Sequence, residues 1–131
     1  YKVKQKPGKP LYFGKKKKTF VFALPGNPAS TLCCFYIYVL PLLCRLKGGR
    51  GGGLISLSIP IAHDYVSNEN RALFLKANIH KKNISVLDRQ NSSMLISFAK
   101  ANALVYIPEK VNKLKKGDYV ETFILPTSIL T

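Results

Sequence analysis

A proline-rich loop near the start of the chain carries two lysines in an arrangement suited to binding an anion. Its sequence is Lys6-Pro7-Gly8-Lys9-Pro10, so two ammonium groups flank a glycine and each lysine precedes a proline. The prolines fix φ and stiffen the loop, while Gly8 lets a ligand approach the backbone closely because it has no Cβ. The loop therefore predicts two cations held on a rigid frame.

A second motif, Leu24-Pro25-Gly26-Asn27-Pro28-Ala29-Ser30, follows an aromatic and β-branched run and precedes a long apolar stretch. Its prolines, glycine and short polar side chains predict a strand, a sharp turn and a helix start. Turns of this kind, at the carboxyl end of a strand, are where α/β proteins hold anions. A helix cap without a ligand explains the same residues, and the sequence leaves both interpretations open.

The charge of the chain favours anionic partners. Twenty-one Lys+Arg stand against six Asp+Glu, a formal net charge of +15. Small oxyanions, phosphate esters, nucleic acid and acidic membranes all fit this balance. Part of the excess is the run Lys15-Lys16-Lys17-Lys18, which we expect at a solvated hairpin tip that needs no ligand.

The cysteines and histidines argue against a metal site built by the protein. Cys33, Cys34 and Cys44 lie in one apolar stretch without the CxxC spacing of zinc or redox sites, and only His63 and His80 supply imidazoles. We expect the cysteines to be reduced core residues of an intracellular protein.

The first third of the chain predicts a hairpin and a buried helix. Residues 11–13 and 19–24 can pair, and residues 30–46 are apolar on nearly every side of a helix, which implies burial against a sheet. Pro41 should kink this helix or mark a break in it. The uncharged run 32–44 is too short to cross a bilayer, so we expect a soluble protein with no membrane span.

A glycine-rich segment, residues 47–53, separates this region from a series of short strands. Five glycines in seven residues predict a linker or a long turn. A short helix is predicted at 93–101, and Lys115-Lys116-Gly117-Asp118 should form the last turn. The predicted strands, typical of a small barrel or compact sheet, are 54–62, 72–79, 84–87, 104–107 and 119–125.

Taken in order, these motifs resemble those of the molybdopterin molybdenumtransferase family, which includes the C-terminal domain of gephyrin. The resemblance covers essentially the whole chain. In the first half it rests on the two proline-glycine motifs and on a helix that closes near Pro41. In the second half it rests on Arg71-x-x-Phe74, Gln90-x-Ser92-Ser93, Ala101-Asn102-Ala103-Leu104 and Leu114-Lys115-x-Gly117-Asp118-x-Val120.

The resemblance implies an α/β plus all-β architecture. Residues 1–47 would be the C-terminal part of a molybdopterin-binding α/β domain of the MogA-like type, 48–53 a glycine-rich linker, and 54–131 a small β-barrel-like C-terminal domain. Family members are elongated homodimers of several domains. We therefore expect a homodimer for the full-length protein.

The resemblance also implies a reaction in molybdenum cofactor biosynthesis, with a cytoplasmic location. Family enzymes insert molybdate into adenylylated molybdopterin with release of AMP, using Mg²⁺. Their metal and catalytic aspartate site lies upstream of the first strand seen here. The six acids of this chain hold no equivalent constellation, so we assign no catalytic or metal-binding residue and expect the chain alone to be inactive. Those acids are Asp64, Glu69, Asp88, Glu109, Asp118 and Glu121.

Site residues follow from the same resemblance. Molybdate is a dianion with four acceptor oxygens, so its site needs converging cations and donors. The molybdate-binding residues implied are Lys6, Lys9, Pro10, Ser30, Arg71 and Ser92. The molybdopterin-binding residues implied are Gly8, Pro25, Gly26, Asn27 and Pro28.

Two other classes of function stay open. A basic chain with a small β domain and fourteen Tyr+Phe (seven of each) has the ingredients of a nucleic-acid-binding module. Against this, aromatics such as Phe35-Tyr36-Ile37-Tyr38 lie in apolar runs typical of a core, which disfavours nucleic acid. The second is a gephyrin-like scaffold, in which a groove of the β domain binds a partner peptide.

Overall fold

The structure of this chain is a computed structural model, which describes residues 5–6, 12–24, 28–49, 52–87 and 101–126. The predicted helix at 93–101 lies almost wholly outside these residues. Among the described residues, no helix has the length and apolar character needed to cross a membrane.

A six-stranded sheet forms the centre of the fold. Its strand order is β1-β6-β8-β10-β4, with β7 also paired to β6; β1 runs parallel to β6 and the other pairs are antiparallel. A separate pair joins β5 (Tyr65–Val66) to β9 (Lys113–Leu114). The bounds of the main sheet are β1 Gln5–Lys6, β4 Ser56–Pro60, β6 Ala72–His80, β7 Asn83–Val86, β8 Ala103–Ile107 and β10 Tyr119–Ile124. The five predicted strands are thus confirmed, with shifts at their ends.

Side chains alternate between two cores across this sheet, as the period of a strand requires. On β6, Leu73, Leu75 and Ala77 enter one core, while Phe74 enters the other. The first core also contains Ile59, Ile61, Ile84, Ala103, Val105, Ile107 and Val120. Because β6 is buried on both faces from Leu73 to Ala77, this part of its sequence is apolar except for Lys76, and the polar residues Asn78 and His80 follow where burial decreases.

The second face of the sheet is covered by a helix with a break before its proline. It consists of α1 (Pro28–Cys34), a π-helical segment (Phe35–Val39) and α2 (Leu40–Leu46). Pro41 has no N–H and its ring crowds the carbonyl four residues back. The preceding turn is widened accordingly, and the Leu40 N–H donates to the Phe35 carbonyl, five residues back. The predicted break is therefore confirmed.

The helix packs on the sheet as its all-round apolar pattern predicted. Cys33 and Tyr36 share the second core with Phe74 and Leu104 of the sheet. Cys33 and Cys34 are free and fully buried.

The predicted hairpin is formed by β2 (Tyr12–Lys16) and β3 (Thr19–Ala23). Its tip turns at Lys17, which has φ 55, and the four lysines at and beside the tip are exposed. Phe13 stacks on Phe20 at 6.0 Å between ring centroids.

The glycine-rich segment packs closely against the helix. A Cβ on Gly53 would lie 2.9 Å from Pro41 Cγ, and Gly53 has φ +82. A Cβ on Gly52 would lie 2.9 Å from the Pro41 carbonyl oxygen. At position 53, only glycine tolerates both the positive φ and the close approach of the Pro41 ring. This part of the segment therefore packs on the helix next to the break at Pro41.

Asn102, part of one of the recognised motifs, extends the pairing between β8 and β6. Its side-chain oxygen accepts from the Ile79 N–H at 2.7 Å and its amide donates to the Ile79 carbonyl at 3.2 Å. The side chain thus replaces a backbone partner where β8 begins.

The predicted turn at Lys115-Lys116-Gly117-Asp118 is confirmed. Gly117 has φ +96, and the Lys115 N–H donates to Asp118 Oδ2 at 2.9 Å. The division into domains at 1–47, 48–53 and 54–131 stays a prediction. In the structure, β1 at residues 5–6 pairs with β6, so a strand from the first predicted domain belongs to the sheet of the last one.

Candidate functional site

The edge of the sheet brings together two of the predicted molybdate-binding residues. β1 pairs in parallel with the start of β6, with Gln5 opposite Ala72 and Lys6 opposite Leu73. This register places Lys6 next to the segment that carries Arg71, although the two are far apart in sequence. The strand pairing therefore brings Lys6 close to the segment that carries Arg71.

One carboxylate bridges the two cations. Lys6 Nζ donates to Glu69 Oε1 at 3.1 Å, and Arg71 Nε donates to Glu69 Oε2 at 3.1 Å. The side chains of Lys6, Glu69 and Arg71 are 46%, 35% and 28% exposed, so the cluster lies at the surface. We call these three residues the charge cluster.

Hydrogen bonds set the ionisation of Glu69. The bond from Lys6 is the largest cause that lowers the pKa of Glu69 below its usual value, and the charges of Lys6 and Arg71 act in the same direction. Partial burial opposes them. The carboxylate is therefore ionised at neutral pH and offers two acceptor oxygens to the cations.

A cleft of about 270 Å³ opens beside the charge cluster. Its polar lining residues are Lys6, Ser67, Asn68 and Glu69, and its apolar and aromatic ones are Tyr65, Leu73, Phe74 and Leu75. A cation such as Lys6 that lines a partly apolar cleft can bind a small oxyanion attached to, or placed beside, a flat organic group.

The structure describes only some of the predicted site residues. Lys6 and Arg71 meet through Glu69, and Ser30 is a buried residue of α1, 5% exposed. Pro28 is the first residue of α1. Seven others lie outside the described residues, and the assignment of all eleven to a site stays a prediction. Those seven are Gly8, Lys9, Pro10, Pro25, Gly26, Asn27 and Ser92.

Glu69 is the site residue that sequence reasoning missed. In the sequence it is one of six acids that hold no catalytic constellation. Its position two residues before Arg71, in a chain with six acids and twenty-one bases, was the available indication. An acid so close to an arginine in sequence can pair with it.

A second cluster of ionisable groups lies under the helix. Lys76 on β6 is 4% exposed, and burial lowers the pKa of its ammonium while nearby Cys33 acts in the opposite direction. Burial also raises the pKa of the Cys33 thiol and raises that of Cys34 to about 11. Both thiols are protonated at neutral pH and are weak nucleophiles.

Another cleft of about 270 Å³ involves residues of β8, β9 and β10. It is lined by Tyr106, Ile107, Pro108, Val111, Leu114, Tyr119, Val120 and Glu121. Tyr119 is 71% exposed, so the cleft has an aromatic side chain open to a partner.

The described part of the chain offers no ligand set for Mg²⁺. Within it, no group of three or more His, Cys, Asp or Glu side chains is placed to hold a metal ion. No step is therefore assigned to a metal held by these residues.

Comparisons with known proteins agree on one family. The family model of the MoeA C-terminal region (domain IV) matches residues 58–125, more than half of the chain. The chain is 32% identical to the molybdenum cofactor synthesis protein cinnamon of Drosophila melanogaster, over 98% of this chain and 22% of that protein. It is 24% identical to the molybdopterin molybdenumtransferase of Haemophilus influenzae, over 92% of this chain and 31% of that protein.

A solved structure shows the same fold. The molybdopterin biosynthesis MoeA protein of Pyrococcus horikoshii superposes with a TM-score of 0.78 at 33% identity, over 95% of this chain and 31% of that one. This likeness confirms the predicted fold class, with its small β C-terminal domain. The chain spans between about a fifth and a third of the length of these relatives.

Proposed function

Because this chain belongs to the MoeA family, whose C-terminal region it contains, we propose that it acts in molybdenum cofactor biosynthesis by helping to insert molybdate into adenylylated molybdopterin with release of AMP. It is part of a molybdopterin molybdenumtransferase, and it supplies binding groups. The enzyme is proposed to be a cytoplasmic homodimer. Mg²⁺ and the catalytic aspartate are proposed to come from a region that the family carries upstream.

The observation that carries the proposal is the charge cluster. Two cations reach one anionic group, Lys6 from β1 and Arg71 from the residue before β6, each at 3.1 Å, beside a cleft that has both polar and apolar lining residues. A molybdate dianion placed there would accept hydrogen bonds from Lys6 and Arg71 at once. The molybdate would then be oriented beside a pterin that contacts the apolar residues lining the cleft.

The remaining predicted residues extend this site. Molybdate contacts are proposed for Lys9, Pro10, Ser30 and Ser92 in addition to the two cations. Molybdopterin contacts are proposed for Gly8, Pro25, Gly26, Asn27 and Pro28. The reaction needs these groups to hold the oxyanion still beside the molybdopterin, which is a positioning role.

Titration calorimetry with sodium molybdate tests the site. Lys6→Met should weaken binding at least tenfold, because one of two converging charge-assisted hydrogen bonds is lost. Lys82→Met is the matched control, since Lys82 is an exposed lysine in the turn after β6 and should not change the affinity. Equal binding by wild type and Lys6→Met would refute the site.

An activity assay tests the incompleteness of the chain. Synthesis of molybdenum cofactor from adenylylated molybdopterin should be absent with this chain alone and present with a longer chain that includes the upstream region. Full activity of the short chain would contradict the proposal.

The apolar cleft around Tyr119 favours a second function, that of a scaffold. Its exposed aromatic ring and its apolar lining suit a short apolar peptide. A peptide-binding assay separates the two functions, because Tyr119→Ala should abolish capture and Lys6→Met should leave it intact. Nucleic acid has less support, since Tyr36 is buried and Phe35 and Tyr38 are half-buried rather than displayed for stacking.

A further inference from the structure

The proposed molybdate site already contains an anion of its own, the Glu69 carboxylate. Each of its oxygens accepts a hydrogen bond from a different cation, which is the arrangement expected of a bound oxyanion. We propose that Glu69 is an exchangeable counter-anion that competes with molybdate for Lys6 and Arg71 and thereby sets the affinity of the site. The inference rests on the proposed function, since it assumes that these cations bind molybdate.

The attachment of Glu69 allows such an exchange. Its backbone N–H donates to Ser67 Oγ at 3.0 Å, and Ser67 is a buried residue. The main chain is therefore held in place while the carboxylate lies at the surface. Rotation about the side-chain bonds can carry the carboxylate into water without moving the backbone.

The two ion pairs are weak enough to be exchanged. All three side chains are partly exposed, and ion pairs between exposed side chains contribute little because water and salt screen them. Releasing Glu69 from both cations should therefore reduce the affinity for an incoming anion by roughly tenfold, not by many orders of magnitude.

The Glu69 carboxylate also neutralises part of the positive charge of the cluster. Lys6 and Arg71 converge at the edge of the sheet, and two cations without a counter-anion would repel each other. With Glu69 the cluster carries one net positive charge, and without it two. The carboxylate thus keeps the cations together between binding events. An anion with a lower affinity for the two cations than the carboxylate does not displace it.

Titration calorimetry with sodium molybdate on the whole chain tests this inference. Glu69→Gln keeps the size of the side chain and removes its charge, so molybdate should bind roughly tenfold more tightly than to wild type. Glu109→Gln is the matched control, because it makes the same charge change at an exposed glutamate in the turn after β8. It should alter the affinity by less than about twofold, since salt screens distant exposed charges.

A second variant separates reach from net charge. Glu69→Asp keeps the carboxylate but shortens the side chain by one methylene, so it should bridge both cations poorly and give an intermediate gain. Thermal unfolding of each variant checks that the fold is retained. If Glu69→Gln does not fold, the Glu69→Asp result decides.

The outcomes distinguish this inference from the proposed function. Unchanged or weaker binding by Glu69→Gln, with wild-type binding that still depends on Lys6, would overturn the exchange and leave the molybdate site standing. An equal gain in Glu69→Gln and Glu109→Gln would overturn it as a general charge effect. Absence of saturable binding in wild type and in both Glu69 variants would overturn the molybdate site and the exchange together.

Discussion

Two lysines on or beside β6 occupy opposite environments. Lys76 lies under the helix, 4% exposed, where burial lowers the pKa of its ammonium. Lys6 lies at the open edge of the sheet and pairs with Glu69 at 3.1 Å. Buried surroundings therefore disfavour the charged form of Lys76, whereas the exposed ammonium of Lys6 is available to a ligand. Solvent access, more than residue type, decides which lysine can serve a binding site.

The largest effect is expected at the residue that joins the two regions. Phe74 is buried in the second core beside Tyr106, with ring centroids 5.1 Å apart, and it also lines the cleft at the charge cluster. Phe74→Ala should lower the free energy of unfolding by about 3 to 4 kcal/mol because it removes a buried ring and leaves a cavity. Urea unfolding measures this loss. Phe74→Leu should cost about a third as much, and a loss below about 1 kcal/mol for the alanine variant would show that the two regions are not joined through this ring.

Relative to the wild type, Lys76→Met should be more stable at pH 7 than at pH 10, because burial disfavours the ammonium that it removes. The pKa of Lys76 is lower in the folded state than its usual value of 10.5, so wild-type stability should rise with pH below that value as the folded lysine loses its proton. The advantage of Lys76→Met should therefore shrink toward pH 10.5. Urea unfolding at pH 7 and pH 10 measures it, with Lys113→Met, an exposed lysine, as the control. An advantage that grows with pH would contradict the expected sign.

The buried thiols should make the protein less stable in alkaline solution. The pKa of Cys34 is raised from 9.0 to about 11, so in the unfolded state the thiol ionises first. A group with a raised folded pKa stabilises fully below its unfolded value and less as pH rises. Under reducing conditions, the free energy of unfolding should therefore fall by about 1 kcal/mol between pH 8 and pH 10 because of this thiol. Cys34→Val should remove that part of the slope, and an unchanged slope would assign it to other groups.

The smallest effect on stability is expected at the exposed charge cluster. Its pairs should contribute less than about 1 kcal/mol, because exposed ion pairs are screened. The pKa of Glu69 is lowered from 4.5, first by the hydrogen bond from Lys6, so this contribution is present above 4.5 and is lost as pH falls through the lowered value. Glu69→Gln should remove this acid-dependent part in unfolding measured from pH 6 to pH 3. A loss of several kcal/mol would mean that the cluster is structural and not exchangeable.

The strands and the helix were predictable because their patterns are local. The apolar run of β6 and the turn residues Lys81 and Lys82 after it lie next to each other in the chain. The break at Pro41 was also local, because it follows from a missing N–H. Its π-helical form was not predicted, since several distortions can accommodate a proline.

The candidate site was predictable only in part. Lys6 and Arg71 were found through motifs that resemble a family, and neither motif indicates a contact between them. The bridging role of Glu69 was missed because it depends on a parallel pairing of only two residues, Gln5–Lys6 with the start of β6. A strand of two residues is too short to show the alternation of polar and apolar residues by which strands are recognised in a sequence.

The sequence by itself determined the family, the types and order of the elements, and the surplus of positive charge, because these depend on neighbours in the chain and on composition. Tertiary structure decided which charges meet and which are buried. Lys6 and Lys76 are both lysines in strand-forming segments, and nothing in their local sequence distinguishes a surface cation from a buried one. The distinction comes from what packs on each side of the sheet: a helix covers Lys76, whereas Lys6 lies at an edge that stays open to water.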